Sequence, residues 1–296
     1  MFLIGWNGIL PRTSISGHPL SHTALTWVSA LLTNCAQKHL CSGAVPSHSP
    51  KRLLAIRIAE DGQIKVKLVE PEKLSAPYIA LSHCWGTERS CMTTRETLAD
   101  NKQDIPWNSI PKTHQDAIKF SLKLNIKYIW IDSICIVQDD EADWEIESSK
   151  MADVYQHSYL TLAATSSSGD SKGCYPDIEG PSYESEIDVP EGATGISKVF
   201  IRRPLKHWNN LPATMVAQEF PLLSRGWVFQ EKLISPRILH FCSTELVWEC
   251  HELSVCECGG FGANDISREQ YLTIRTCENT NVSRMDTPYI SPYGRN

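Results

Sequence analysis

The run "KYIWIDSICIVQDD", Lys127–Asp140, decides how the rest of the chain is interpreted. It is rich in β-branched and aromatic residues, a composition that predicts a buried strand. Asp132 lies in the middle of it, and an isolated buried carboxylate costs several kcal/mol unless it is paired, hydrogen-bonded or protonated. The run therefore predicts a central strand, and Asp132 needs a role that the strand alone does not explain.

Strand and helix patterns alternate around this run. The segment "YIALSHCWG" (78–86) predicts a strand that enters a loop, and "YLTLAAT" (159–165) predicts another strand. The intervening segments 110–125 and 139–158 have the apolar spacing of helices. This alternation predicts βαβ units and a parallel sheet, in which ligands bind beyond the carboxyl ends of the strands. Asp132 is expected near such an end.

The outer segments predict further elements: an N-terminal helix, an early hairpin around Asp61-Gly62 and a closing hairpin around Ser243-Thr244. A strand is expected at 198–204 and a short helix at 224–235, whereas the Gly/Pro/Ser-rich stretch 166–197 predicts a surface excursion. The expected organisation is an N-terminal helical extension and linker (1–50), a main domain (51–258, with its principal motifs at 78–250) and a weakly structured tail (259–296).

Composition narrows the class of protein. The chain has 296 residues, of which 42% are apolar and 21% charged, as in an ordinary globular protein. The net charge is −6, and no run of Lys or Arg exceeds two residues, which argues against a nucleic-acid partner and a polybasic membrane anchor. The start of the chain makes a poor secretory signal, so the eleven cysteines are expected to be thiols in a cytoplasmic protein without a membrane span.

Four motifs, in this order, resemble the fungal heterokaryon-incompatibility (HET) domain. They are "YIALSHCWG" (78–86), "IPKTHQDA" (110–117), "YIWIDSICIVQD" (128–139) and "RGWVFQE" (225–231). His83 stands where an aromatic residue is more usual in that family. Four ordered motifs are far more specific than a single one.

The resemblance implies a fold and an activity. The implied fold is α/β, TIR-like and flavodoxin-like, with a mostly parallel sheet flanked by helices, to which this chain adds a C-terminal β hairpin and an N-terminal helical extension. The implied role is fungal non-self recognition and programmed cell death, with protein partners and self-association. Because some TIR domains cleave NAD, the analogy suggests NAD as a substrate and requires no cofactor. The alternative is a self-associating scaffold without catalysis.

The candidate site combines the ends of these motifs. Asp132 and Glu231 are the candidate catalytic carboxylates, since glycosidic cleavage needs a carboxylate near developing positive charge. The structural alternative for Asp132 is a cap of the following loop or a pair with Arg225, and for Arg225 an interior ion pair. The candidate ligand-binding residues are Ser82, Trp85, Gly86, Ser133, Gln138, Arg225, Trp227 and Gln230.

No metal site is predicted among these residues. The acids of segment 139–147 suit a solvated helix start and match no calcium-loop spacing. Cysteine and histidine are clustered at Cys35-x3-His39-x-Cys41 and again near the C-terminus, but neither cluster has two of the Cys-x2–4-Cys pairs typical of zinc sites. A structural zinc is left open for the second cluster, which consists of His240, Cys242, Cys250, His251, Cys256 and Cys258.

Overall fold

The computed structural model describes residues 15–41, 49–87, 91–175, 184–188, 198–202 and 205–260. Within these ranges, eight strands form one sheet and two form a separate hairpin. The strands are β1 (Leu53–Ile58), β2 (Ile64–Val69), β3 (Ile79–Ser82), β4 (Tyr128–Trp130), β5 (Leu160–Ala163), β6 (Glu184–Asp188), β7 (Lys198–Arg202), β8 (Arg237–Phe241), β9 (Leu246–Cys250) and β10 (Ser254–Cys256).

Helices fill the connections between these strands. The α-helices are α1 (His22–Lys38), α2 (Leu98–Gln103), α3 (Lys112–Lys123), α4 (Asp132–Cys135), α5 (Glu141–Ser149), α6 (Met151–Gln156), α7 (Ala213–Glu219) and α8 (Gly226–Ile234). Short 3-10 turns occur at Trp107–Ser109, Asp170–Lys172, Trp208–Asn210 and Pro221–Ser224. No helix in the described part of the chain is long and apolar enough to cross a membrane.

The sheet is mixed, with strand order β10-β9-β8-β5-β3-β4-β1-β2. Its four central strands are parallel, as the βαβ pattern predicts. The expectation of a mostly parallel sheet is wrong, because four of the seven pairings are antiparallel. The two hairpins cause the difference: β1/β2 pairs against β4, and β9/β10 continues from β8, so each extends one edge of the parallel centre.

The parallel centre places three motif ends side by side. Register pairs Ile79 with Ile129 and Ser82 with Ala163, so β3, β4 and β5 end at the same edge. Strand β4 ends at Trp130, and Asp132 is the first residue of α4. Asp132 therefore lies just beyond the carboxyl end of a central strand, where the topology predicted it, and not inside the strand.

The N-terminal helix belongs to the same core as the sheet. Ala24, Val28, Leu32 and Cys35 form its buried stripe and join the main apolar cluster. Ser21 caps the helix, because its hydroxyl accepts the Ala24 amide at 3.2 Å. The last turn of α1 lies against β9, so the two ends of the described chain meet there.

Two segments differ from the sequence-based expectation. The predicted helix over 139–158 is broken at Lys150 into α5 and α6. The acids in its first turn are not all solvated, because Asp143 is buried and forms an ion pair with the buried Arg52. The segment 166–197 is not wholly a surface excursion, since Asp170 and Cys174 are buried. Its residues 184–188 form β6, a strand that the sequence did not predict.

Candidate active site

Asp132 is held by donors from two directions. The indole Nε1 of Trp85 donates to its Oδ2 at 2.8 Å, and the backbone amide of Ser133 donates to its Oδ1 at 2.7 Å. The side chain keeps 21% of its surface exposed. The carboxylate of Asp132 is therefore oriented by two charge-assisted hydrogen bonds, and part of it remains accessible to solvent.

Glu231 lies on α8 and reaches the end of β3. The hydroxyl of Ser82 donates to its Oε2 at 2.5 Å, and the hydroxyl of Tyr155, which donates to the Leu81 carbonyl at 3.2 Å, lies nearby. Burial raises the pKa of Glu231 to about 7, and the negative charge of Asp132 raises it further, against the opposing effect of the Ser82 and Tyr155 hydroxyls. A carboxyl group with such a pKa exchanges its proton near neutral pH.

Three buried groups form a network behind Asp132. The Nε2 atom of His83 lies 3.1 Å from the Nε2 atom of His114, 3.1 Å from Oδ1 of Asp170 and 3.9 Å from Oδ1 of Asp132. Burial lowers the pKa of His114. Burial also opposes the charge of His83, but the carboxylates of Asp132 and Asp170 outweigh it and raise the pKa of His83. The network thus favours an imidazolium between two carboxylates.

The pKa of Asp170 is shifted in the opposite direction from that of Glu231. Burial by itself would raise its pKa, yet the imidazoles of His114 and His83, 3.5 Å and 3.1 Å from its Oδ1, lower the pKa of Asp170 to about 2. Asp170 is therefore a permanent negative charge at neutral pH, whereas Glu231 is a proton-exchanging group.

The loop that carries Asp170 is fixed by α3. Thr113 Oγ1 donates to the carbonyl of Gly169 at 3.2 Å, and Asp116 Oδ2 accepts the amide of Cys174 at 3.1 Å. Gly86, with φ +73°, packs so closely on Gly169 that a Cβ on Gly86 would lie 3.0 Å from the Gly169 Cα. The Thr-x-x-Asp spacing of α3 and the close glycine contact together bring Asp170 to His83.

The predicted ligand-binding residues divide into three groups. Ser82 and Trp85 contact the two candidate catalytic carboxylates. Gly86, Ser133 and Gln138 support the site from behind; Gln138 Nε2 donates to the Asp132 carbonyl at 3.1 Å. Arg225, Trp227 and Gln230 are exposed on or next to α8.

Within the residues that the structure describes, Arg225 forms no ion pair. Its guanidinium is exposed, and Nη1 donates to the backbone carbonyl of His83 at 2.8 Å. The structural alternative in which Asp132 pairs with Arg225 is therefore not what orients Asp132, since Trp85 and Ser133 supply its donors.

The motifs that build this site are also those of a known family. A family model described as "Heterokaryon incompatibility protein (HET)" matches residues 78–231, about half of the chain. The chain belongs to the heterokaryon-incompatibility (HET) family. Comparison with curated proteins and with solved structures returned no match. At the level of the family, the protein is therefore assigned to heterokaryon incompatibility.

The HET match coincides with the geometry of the site. It begins at Tyr78, just before β3, and ends at Glu231, the proton-exchanging carboxyl group. Sequence reasoning missed Tyr155, His114 and Asp170. His114 lies inside the recognised "IPKTHQDA" motif, so its place in the motif was a usable signal. Asp170 lies in a polar stretch without periodicity, and only the α3 contacts reveal its position.

Three groups of side chains in the described residues have metal-ligand chemistry. The first, inside the site, consists of His83, His114 and Asp170, and the second of His207, Glu245, Cys256 and Cys258. The third consists of Cys35, His39, Cys41 and Cys250. The cluster suggested from the sequence is thus divided: Cys250 lies with the N-terminal group, while His240 bonds Glu249 at 2.9 Å and Cys242 joins an apolar cluster.

Proposed function

We propose that this HET protein acts in the cytoplasm in fungal non-self recognition and programmed cell death, and that its candidate active site hydrolyses the N-glycosidic bond of NAD or a related nucleotide. The observation that supports hydrolysis is the pKa of Glu231, which is about 7. Glu231 lies near a second carboxylate, Asp132, at the end of the parallel strands. The likeness of the HET family to TIR domains, some of which cleave NAD, is the analogy that suggests this substrate.

The proposed reaction breaks the bond between the ribose C1′ and the nicotinamide nitrogen. The bonding electron pair leaves with nicotinamide, and positive charge develops on the ribose as in glycoside hydrolysis. Asp132 stabilises that charge from a fixed position. Glu231, when deprotonated, accepts a proton from the attacking water, so the products are ADP-ribose, nicotinamide and one proton released to solvent.

Substrate binding uses the exposed residues around the two carboxylates. Arg225 has guanidinium N–H groups beyond the Nη1 that bonds His83, and guanidinium matches a phosphate bidentately. The indole ring of Trp227 is 56% exposed and offers a stacking surface for a base. Ser82 is only 3% exposed and donates to Glu231, so its proposed role is to orient that carboxyl group beneath the substrate.

The test is hydrolysis of NAD by the purified full chain, measured by chromatography of nicotinamide and ADP-ribose. We expect Asp132→Asn and Glu231→Gln to abolish release, and the rate of the wild type to rise as the pH passes 7, because Glu231 must lose its proton. Glu257→Gln is the matched control, since Glu257 is also a buried carboxyl group with a raised pKa but lies away from Asp132 and Glu231.

Two results would contradict the hydrolysis proposal. One is a wild-type protein that folds and leaves NAD and related dinucleotides intact at high protein concentration. The other is a folded Glu231→Gln variant with wild-type turnover and an unchanged pH profile. Circular dichroism of each variant separates loss of chemistry from loss of fold.

The second candidate function is a self-associating scaffold. It is favoured by α8, on which Trp227 and Phe229 are each 56% exposed although they are large and apolar. A surface of this kind is typical of protein contacts. Light scattering of the full chain tests it: concentration-dependent association that Phe229→Ser removes would support the scaffold, and a strictly monomeric wild type would refute it.

A further inference from the structure

Four potential metal ligands converge where the two ends of the described chain meet. Cys35 lies in the last turn of α1, His39 follows the helix end, and Cys41 lies two residues further on. Cys250 ends β9 and comes from more than two hundred positions away. Their three sulfurs and one ring nitrogen all lie within 4.8 Å of one another.

The ligand atoms are close enough together to bind one tetrahedral zinc ion. With Zn–S of about 2.3 Å and Zn–N of about 2.0 Å, ligand atoms around one zinc ion lie roughly 3.5–3.8 Å apart. The Sγ atom of Cys250 is 3.3 Å from Nδ1 of His39. Cys35, Cys41 and Cys250 are not joined in disulfides. A disulfide would in any case use two sulfurs and leave the third thiol and the imidazole unexplained.

Burial makes an empty polar cluster an unexpected arrangement. Cys35, Cys41 and Cys250 are each at most 1% exposed. Three thiols without a metal satisfy one another only through weak S–H bonds. A bound zinc ion would give these buried sulfurs a partner, because the metal binds each of them as a thiolate and releases the thiol proton.

The charge of the surroundings is the second, independent observation. The buried guanidinium of Arg237 donates from Nε to Cys35 Sγ at 3.3 Å and from Nη1 to the Tyr159 carbonyl at 3.1 Å. Within the described ranges it forms no ion pair with a carboxylate. A buried charge requires a counter-charge. One Zn²⁺ with three thiolates and a neutral imidazole carries a net charge of −1, and it would provide that counter-charge beside Cys35.

We propose that one structural zinc ion is bound by Cys35, His39, Cys41 and Cys250. Four protein ligands leave no open position, so the ion would have no catalytic role. It would fasten the end of α1 to the end of β9. All four ligands lie outside the HET match at 78–231, so the ion would join the N-terminal helix to the HET domain independently of the proposed hydrolysis.

The test is the metal content of the full chain, purified with a reductant and without added chelator, by plasma mass spectrometry. We expect one zinc ion per chain, and loss of that ion in Cys41→Ser and Cys250→Ser. Cys174→Ser is the matched control and is expected to keep the ion. Cys174 is 1% exposed, lies in none of the three clusters, and donates its S–H to the Thr113 carbonyl, a bond that serine can retain.

Two further measurements keep the proposal testable if the serine variants do not fold. Cobalt substituted into the wild type is expected to give the visible bands of a tetrahedral ion and a thiolate-to-metal charge-transfer band. His39→Cys is expected to retain the metal, with a spectrum shifted towards four thiolates, because cysteine replaces one ligand by another.

The proposal is overturned by a wild-type chain that contains no zinc while its thiols are fully reduced, or by a disulfide between any two of the three cysteines in the purified protein. Zinc that persists in both Cys41→Ser and Cys250→Ser would also overturn it, because the ion would then belong to the His207 cluster.

Discussion

Replacing Glu231 by glutamine is expected to stabilise the protein at alkaline pH and to have the smallest stabilising effect in mild acid. The substitution keeps the size of the side chain and an acceptor for the Ser82 hydroxyl, whose Oγ lies 2.5 Å from the carboxyl Oε2. It removes only the ability to ionise. The effect of the variant on stability should therefore follow the titration of this one group.

The magnitude follows from the pKa values in the two states. Burial raises the pKa of Glu231 from 4.5 to about 7. Because the folded value is raised, the bound proton favours folding fully below pH 4.5, and that contribution is lost as the pH rises through 7. Between about pH 5 and about pH 8 the wild type should lose roughly 2.5 kcal/mol through this group, at about 1.4 kcal/mol per pH unit between the two pKa values.

Urea denaturation of both proteins at four pH values from mild acid to mild alkali measures the difference. The unfolding free energy of Glu231→Gln relative to the wild type should rise by roughly 2.5 kcal/mol over that range, with similar m-values. Glu257→Gln is the control that shows how much a different buried carboxyl group contributes to the pH dependence of the unfolding free energy. A difference between wild type and Glu231→Gln that does not change with pH would refute the raised pKa and remove the main support for Glu231 as a base.

Three other substitutions test the surroundings of the site. Gly86→Ala should cost about 1–3 kcal/mol of unfolding free energy by urea denaturation, because its φ is +73° and the new Cβ meets Gly169. Asp170→Asn should lower the pKa of the buried histidines that face it, as read from imidazole NMR signals during titration. Asp143→Asn should cost about 3–5 kcal/mol because it leaves the buried Arg52 charge with only the more distant Glu70, at 3.8 Å, and Asp143→Leu combined with Arg52→Met should recover most of that loss in thermal melts.

The sequence predicts the centre of the sheet well because local patterns determine it. The apolar runs at 78–82 and 159–163 become β3 and β5, and hairpin signals give β1/β2 and β8/β9. The pairing partner of each hairpin is not a local property, so nothing in these segments shows that the sheet is mixed. The same limit applies to β10, whose three residues pair with β9 only after the chain turns back.

Sequence patterns suggest the candidate site residues that lie inside the motifs and miss those that lie outside them. Ser82 ends β3 and Asp132 follows β4, so topology alone brings these two to one edge, whereas Glu231 lies inside α8. Asp170 depends on contacts with α3 across more than fifty residues, which composition cannot show. The Cys35-x3-His39-x-Cys41 spacing was visible in the sequence. Its fourth member could not be chosen, because Cys250 reaches it through the fold of the whole sheet.

The difference between the pKa values of Asp170 and Glu231 is the strongest argument for assigning these two acids different roles. Asp170 and Glu231 are both largely removed from water, yet their pKa values are about 2 and about 7. The difference comes from their partners: two imidazoles lie within 3.5 Å of Asp170, whereas Glu231 accepts the neutral hydroxyl of Ser82 and feels the negative charge of Asp132. Environments that shift the pKa values of two neighbouring acids apart are typical of sites that move protons. On this basis, Asp170 is the fixed charge and Glu231 is the group that exchanges its proton.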